Sequence, residues 1–134
     1  MFKLNESYRK GIQITKSYDA KIYLQEFKDL DRESFVCLHL NSRNKVINRE
    51  VVGIGTIDSC NVHPREIFKG AIINSAAAII IVHNHPSGDV SPSDEDITVT
   101  RKLIEAGGII GIKLIDSLII SGDNMFSMND NNMI

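Results

Sequence analysis

The sequence has no tryptophan, only two cysteines and no apolar run long enough to cross a bilayer. Its longest unbroken apolar run has seven residues, 76–82, whereas a membrane-spanning helix needs about 20. The N-terminal residues MFKLNESYRK lack the apolar region of a secretory signal, so we expect a cytosolic protein. Cys37 and Cys60 have no CxxC spacing, and in a reducing compartment they are interpreted as packing or indifferent residues.

Positive charge does not exceed negative charge. The 134 residues carry 15 lysines and arginines against 17 acids, a formal net charge of -2. A domain that neutralises many DNA phosphates is usually basic, so we expect weak DNA binding or none by this chain alone. The composition predicts one globular domain over residues 1–134, with flexible termini at 1–10 and 129–134.

Segments typical of strands alternate with segments typical of helices, which predicts an α/β fold with a mixed β-sheet flanked by helices. The apolar run at 76–82 predicts a central strand that is buried on both faces. Ser17 is predicted to begin one α-helix, and Gly107 and Gly108 to end another. The other predicted elements are a hairpin of strands at 34–40 and 45–54, an edge strand at 11–15, helices at 64–75 and 94–106, and strands at 109–115, 118–120 and 125–128.

Two histidines follow the apolar run directly, in the order His83-Asn84-His85-Pro86. Side chains two apart in extended backbone point the same way, so both imidazoles can face one point, and Pro86 stops the strand there. Asp96 is the favoured third ligand, because it lies in the first turn of the next predicted helix, where the helix dipole favours a carboxylate. Two histidines and one carboxylate leave a position for water, which is typical of catalytic zinc and predicts hydrolysis.

Two alternatives remain open on the residues alone. Ser93 and Asp96 have the spacing of a capping box with Asp in place of Glu, so both residues could serve only to begin a helix. Asp89 is closer to the histidines in sequence and is a rival third ligand, although its neighbour Gly88 also makes it a plausible turn residue.

A metal-dependent hydrolase also needs a group that moves protons, and the sequence has no HExxH glutamate to supply it. Glu33 directly precedes the predicted strand 34–40, and Glu66 lies in the first turn of the helix that begins at Pro64. The residues alone do not separate these two candidates.

The stretch from His83 to Asp96 resembles the JAMM motif of JAB/MPN metalloproteases, in the form carried by RadC-type proteins. The motif has two histidines one residue apart, a proline, six residues, a serine, two residues and an aspartate, and every position is present. The segment His63-Pro64-Arg65-Glu66-Ile67-Phe68 is also similar to a RadC-like segment. The likeness covers roughly residues 17 to 128.

The resemblance implies a JAB/MPN, cytidine-deaminase-like architecture and a zinc ion bound by His83, His85 and Asp96. It further implies that Ser93 stabilises a tetrahedral oxyanion and that Glu33, rather than Glu66, is the catalytic glutamate. The implied activity is hydrolysis of a peptide or isopeptide bond. The alternative is a non-catalytic or DNA-associated accessory domain of the RadC DNA-repair-protein family.

Two departures from the RadC pattern bear on function. RadC-type chains often carry an N-terminal helical domain, and only about thirty residues precede the JAMM core here, so we expect a stand-alone form. The family also commonly has a histidine where this sequence has Ser117. If that histidine supports substrate or the metal ligands, activity here should be weaker or differently directed.

We predict that any binding to duplex DNA is weak, non-specific and steeply salt-sensitive, because 15 cations are offset by 17 anions. Titrating a labelled duplex at about 50 and 200 mM salt measures this, since binding through many phosphate contacts loses about a thousandfold in affinity over that range. Tight, sequence-selective binding that survives the higher salt would contradict the prediction.

Overall fold

A computed structural model describes residues 11–54 and 62–134. Within these residues, five strands form one mixed sheet in the order β2-β1-β3-β4-β5. The α/β class predicted from the sequence is confirmed. In chain order the elements are a 3₁₀ helix at Ser17–Tyr23, β1 at Ser34–Leu40, β2 at Val46–Ile54, α1 at Pro64–Ile73, β3 at Ala78–Asn84, α2 at Asp94–Ile110, β4 at Lys113–Ser121 and β5 at Asn124–Ser127.

The central strand β3 is buried along its whole length, as the apolar run predicts. It pairs antiparallel with β1 and parallel with β4, and α2 makes the crossover between the parallel pair. Ile80 packs on one face with Tyr23 and the 3₁₀ helix, whereas Ile79 packs on the other face with Phe68 of α1 and Leu103 of α2. Because both faces are covered, polar side chains are excluded from β3 until its last two residues.

The predicted end of α2 is wrong. Gly107 and Gly108 lie inside the helix, which continues to Ile110 and ends at Gly111 in the left-handed conformation, with φ of 88°. A Cβ on Gly107 would lie 2.3 Å from the carbonyl oxygen of Ile112, so this glycine permits close packing rather than ending the helix. In consequence, the predicted strands at 109–115 and 118–120 are one strand, β4.

The first predicted helix is a 3₁₀ helix, with Lys16 rather than Ser17 at its N-cap position. The Asp19 carboxylate accepts hydrogen bonds from the backbone N–H groups of Thr15 and Lys16, which tightens the turn. The predicted edge strand at 11–15 is reduced to one isolated bridge between Gln13 and Lys45.

The buried, free Cys37 packs in the core, in agreement with its interpretation as a packing residue. Burial raises the pKa of its thiol, which keeps the sulfur protonated. The predictions made for Cys60 and for residues 1–10 lie outside the described residues.

A buried carboxylate, Asp116 on β4, fastens the C-terminal residues to the sheet. Its oxygens accept hydrogen bonds from the Ser127 hydroxyl at 2.5 Å and from the backbone N–H groups of Ser117 at 2.7 Å and Asn129 at 3.0 Å. The tail at 129–134, predicted to be flexible, is therefore joined at its first residue to the core of the sheet.

Replacing Asp116 by Ala should lower the free energy of unfolding by about 2–4 kcal/mol, because two buried donors and one partly buried donor lose their acceptor. Urea denaturation measures the loss. Asp123→Ala is the control, since this carboxylate is exposed and pairs with Lys28 at the surface; its unfolding midpoint should stay at the wild-type value. Equal midpoints for the two variants would contradict the structural role of Asp116.

Candidate metal centre

The structure brings His83, His85 and Asp96 together. One ligand atom from each residue lies within 4.8 Å of the other two. His83 is the penultimate residue of β3, His85 directly follows the strand, and Asp96 is the third residue of α2. This is the ligand set predicted from the sequence, and its side chains can hold a metal ion.

The backbone beyond β3 explains why the two imidazoles converge. The N–H of His85 donates to the carbonyl of Ile120 at 2.8 Å, so pairing with β4 continues one residue beyond the strand. The chain then turns at Pro86, and the N–H of Gly88 donates to the carbonyl of His85 at 3.2 Å. Gly88 has φ of 96°, a conformation that favours glycine.

The rival ligand Asp89 is not part of the cluster. Its side chain is exposed and accepts a hydrogen bond from the N–H of Ser91 at 2.9 Å, as expected of a turn residue. Its backbone carbonyl lies 2.8 Å from Nδ1 of His85. Since a carbonyl can only accept, Nδ1 of His85 carries the proton there, and Asp89 orients this imidazole through its backbone.

Asp96 both begins α2 and joins the cluster. The Ser93 hydroxyl accepts from the N–H of Asp96 at 3.1 Å, and the N–H of Ser93 donates to Oδ2 of Asp96 at 2.8 Å, which completes the predicted capping box. The same carboxylate places Oδ1 2.9 Å from Nδ1 of His83 and Oδ2 3.1 Å from Nε2 of His85. The capping and ligand interpretations are therefore compatible.

Burial raises the pKa of the Asp96 carboxyl, but hydrogen bonds from His83 and from the Ser93 backbone outweigh burial and bring the pKa below its ordinary value. The carboxyl is thus ionised at neutral pH. An ionised aspartate is the form that can coordinate a cation.

The hydrogen-bonding pattern of the cluster leaves acceptor atoms facing one another, and a cation between them would compensate for this. When Nδ1 of His85 donates to Asp89, a neutral imidazole turns the lone pair of Nε2 toward a carboxylate oxygen of Asp96, 3.1 Å away. Nε2 of His83 is buried without a hydrogen-bond partner among the described residues and lies 3.7 Å from Oε2 of Glu33. A divalent cation would satisfy these facing acceptors, so the donor set fits a metal.

Of the two candidate glutamates, Glu33 is the one beside the cluster. Its carboxylate lies 3.7 Å from His83, and its side chain is 27% exposed, so it is open to solvent and to a substrate. Glu66 is more exposed and lies near Arg65 on α1, with the Glu50 carboxylate of β2 close enough to interact with it. The structure thus separates two residues that the sequence alone leaves tied.

Ser117, where the resemblance implies a histidine, contacts α2. Its hydroxyl accepts a hydrogen bond from the Thr100 hydroxyl at 3.0 Å, and both residues are buried. Thr100 follows Asp96 by one helical turn. Ser117 is accordingly linked to the helix that supplies Asp96.

Sequence reasoning missed two contributors to this site. One is the backbone carbonyl of Asp89, which no side-chain motif can reveal. The other is Asn84, between the two histidines, whose side-chain amide contacts the backbone on both sides of Glu33. The available signal was the alternation of a strand, which directs Asn84 to the face opposite His83.

Comparison with known proteins identifies relatives of this chain. A family model described as "RadC-like JAB domain" matches residues 14–133. A UPF0758 protein of Desulforamulus reducens is 57% identical over 106 residues, which are 79% of this chain and 46% of the relative. UPF0758 proteins of Bacillus cereus and Bacillus anthracis are 52% identical over 107 residues and 49% identical over 120 residues, covering 80% and 89% of this chain and 47% and 53% of the relatives.

The chain therefore spans about half the length of the curated relatives it matches. Their name states no activity. Among the described residues, none of the helices has the length and apolar character required to cross a membrane.

We predict that the protein, purified without chelator, carries close to one divalent metal ion per chain, and that His83→Ala or His85→Ala abolishes binding because each removes one of three ligands. Elemental analysis by mass spectrometry measures the metal. His63→Ala is the control, because His63 is exposed at the start of α1 and should leave the metal content unchanged. A full metal complement in the His83/His85 double variant would rule out this centre.

Proposed function

We propose, on the premise that this chain belongs to the RadC-like JAB domain family, that it is a zinc-dependent hydrolase of peptide or isopeptide bonds. One observation carries the proposal: a partly exposed carboxylate, Glu33, stands 3.7 Å from His83 beside a cluster of two histidines and one aspartate. The cluster supports metal binding, and the adjacent carboxylate supports proton transfer.

Zinc is the favoured metal because two imidazole nitrogens and one carboxylate oxygen are common ligands of catalytic zinc and leave a position open. A bound zinc ion supplies an activated water at neutral pH and polarises a carbonyl. His85 is only partly buried, with 13% of its side chain exposed, so a metal held by these residues would be within reach of solvent.

Glu33 is proposed to accept the proton of the attacking water at Oε2 and to return it to the leaving amine. Among the described residues, its carboxylate has no hydrogen bond or ion pair other than the approach to His83, so it is free to take a proton. The resemblance to JAMM metalloproteases is what directs the proposal to amides and isopeptides, whose leaving amine needs the proton that Glu33 would return.

Ser93 is proposed to stabilise the oxyanion. Its oxygen accepts from the N–H of Asp96, and within residues 11–54 and 62–134 no acceptor takes its hydroxyl hydrogen. That hydrogen can be donated to the charge that develops on the scissile carbonyl, at the stage where a donor accelerates the reaction.

The test uses Glu33→Gln, which keeps the shape of the side chain and removes its basicity. We expect turnover of the best substrate from a fluorogenic peptide library to fall by about 10²- to 10⁴-fold while zinc content stays near one per chain. Glu66→Gln is the matched control, because it makes the same change in an exposed glutamate of α1, and it should retain full turnover.

The opposite pattern, with turnover lost in Glu66→Gln and kept in Glu33→Gln, would move the proton-transfer role to Glu66. A zinc-loaded wild-type chain that cleaves no peptide or isopeptide would instead support a non-catalytic or DNA-associated accessory domain, the alternative function.

A further inference from the structure

The side chain of Asn84 joins β3 to the segment that carries Glu33. Its Nδ2 donates to the carbonyl of Arg32 at 2.8 Å, and its Oδ1 accepts a hydrogen bond from the N–H of Ser34. Glu33 lies between these two residues, so the peptide groups on both sides of it are held by one amide. Asn84 is 2% exposed, which shields both hydrogen bonds from water.

This amide replaces backbone pairing at the point where the sheet ends. The ladder between β1 and β3 stops at the pair Phe35 and His83, and the backbone of Asn84 pairs with Ile120 on the other side. Only a side chain with both a donor and an acceptor can continue the ladder toward β1. Asparagine has both, whereas aspartate at neutral pH can only accept and an apolar side chain can do neither.

The location of the Glu33 carboxylate depends on this anchoring. Among the described residues that carboxylate makes no hydrogen bond, and its ion-pair contact is with His83 at 3.7 Å. Its position is therefore set mainly by the backbone of residue 33. His83 and Asn84 are consecutive, so the strand that carries a metal ligand also holds, from its opposite face, the backbone of the glutamate next to that ligand.

We propose that Asn84 is a positioning residue, which fixes Glu33 relative to the metal centre by clamping the backbone at Arg32 and Ser34. The inference rests on the proposed function, since it assigns Asn84 to the hydrolytic role of Glu33. It predicts that loss of the clamp lowers turnover while it leaves metal binding and the affinity for substrate in place.

The experiment compares the zinc-loaded wild type with Asn84→Ala, using the peptide from the fluorogenic library that the wild type cleaves fastest. We expect kcat to fall about a hundredfold, since misplacing a catalytic group by about 1 Å costs that much, with KM within about twofold and zinc near one per chain. Hydrogen exchange adds a readout besides activity: the Ser34 amide should exchange about tenfold faster, because it loses its acceptor.

Ser34→Ala is the matched control. The Ser34 hydroxyl is buried and has no hydrogen-bond partner among the described residues, whereas its backbone N–H makes the bond to Asn84. The alanine variant keeps that N–H, so kcat, zinc content and exchange at position 34 should match the wild type. Asn84→Asp keeps the acceptor and loses the donor, and we expect a smaller fall in kcat; it also serves if Asn84→Ala does not fold.

The outcomes separate this inference from the function on which it rests. A wild-type chain that binds zinc but cleaves nothing overturns the proposed function and, with it, the role of Asn84. An active wild type whose Asn84→Ala variant keeps kcat, loses zinc or protects the Ser34 amide as before overturns the role of Asn84 alone. For Asn84→Asp, which keeps the acceptor for that amide, an unchanged kcat or a loss of zinc has the same consequence.

Discussion

The alternation of side chains along β3 is the constraint on which the site depends. Packing on both faces buries this strand up to Val82, so its register and its direction are fixed before the first polar side chain occurs. His83 then faces the helices and approaches Asp96, while Asn84 faces the other way and reaches the start of β1. The end of β3 thereby presents a candidate metal ligand, His83, on one face. From the opposite face, Asn84 holds the segment that carries Glu33.

Asp96 shows how closely the site is coupled to the fold. Its backbone and carboxylate make both bonds of the capping box with Ser93, and the same two carboxylate oxygens face the two imidazoles. A cap stabilises a helix by about 1 kcal/mol. Because the same carboxylate makes the cap and faces the imidazoles, the beginning of α2 and the geometry of the cluster cannot vary independently. A bound cation would strengthen this coupling, because it would compensate acceptors that otherwise face one another.

The residues show why some features could be predicted from the sequence and others could not. The ligand set lies within 14 consecutive residues, His83 to Asp96, so local rules for strands, turns and helix starts suffice to assemble it. The end of α2 depends instead on tertiary packing: Gly107 is required by the approach of the Ile112 carbonyl, not by helix termination. The separation of Glu33 from Glu66, and the part played by Asn84, both require the knowledge that β1 is the neighbour of β3, and strand order is not written in any local pattern.

Ser117 is linked to the candidate metal centre through α2. Its hydroxyl accepts from Thr100, and Thr100 and Asp96 are one turn apart on α2. The carboxylate on the neighbouring residue, Asp116, is engaged with Ser127 and Asn129 on the way to the C-terminal tail. Ser117 is not one of the three candidate ligands, and its link to the centre runs through its hydrogen bond to α2. The geometry of Asp96 is thus supported from two directions, by Ser93 at the start of the helix and by the Thr100–Ser117 contact one turn later.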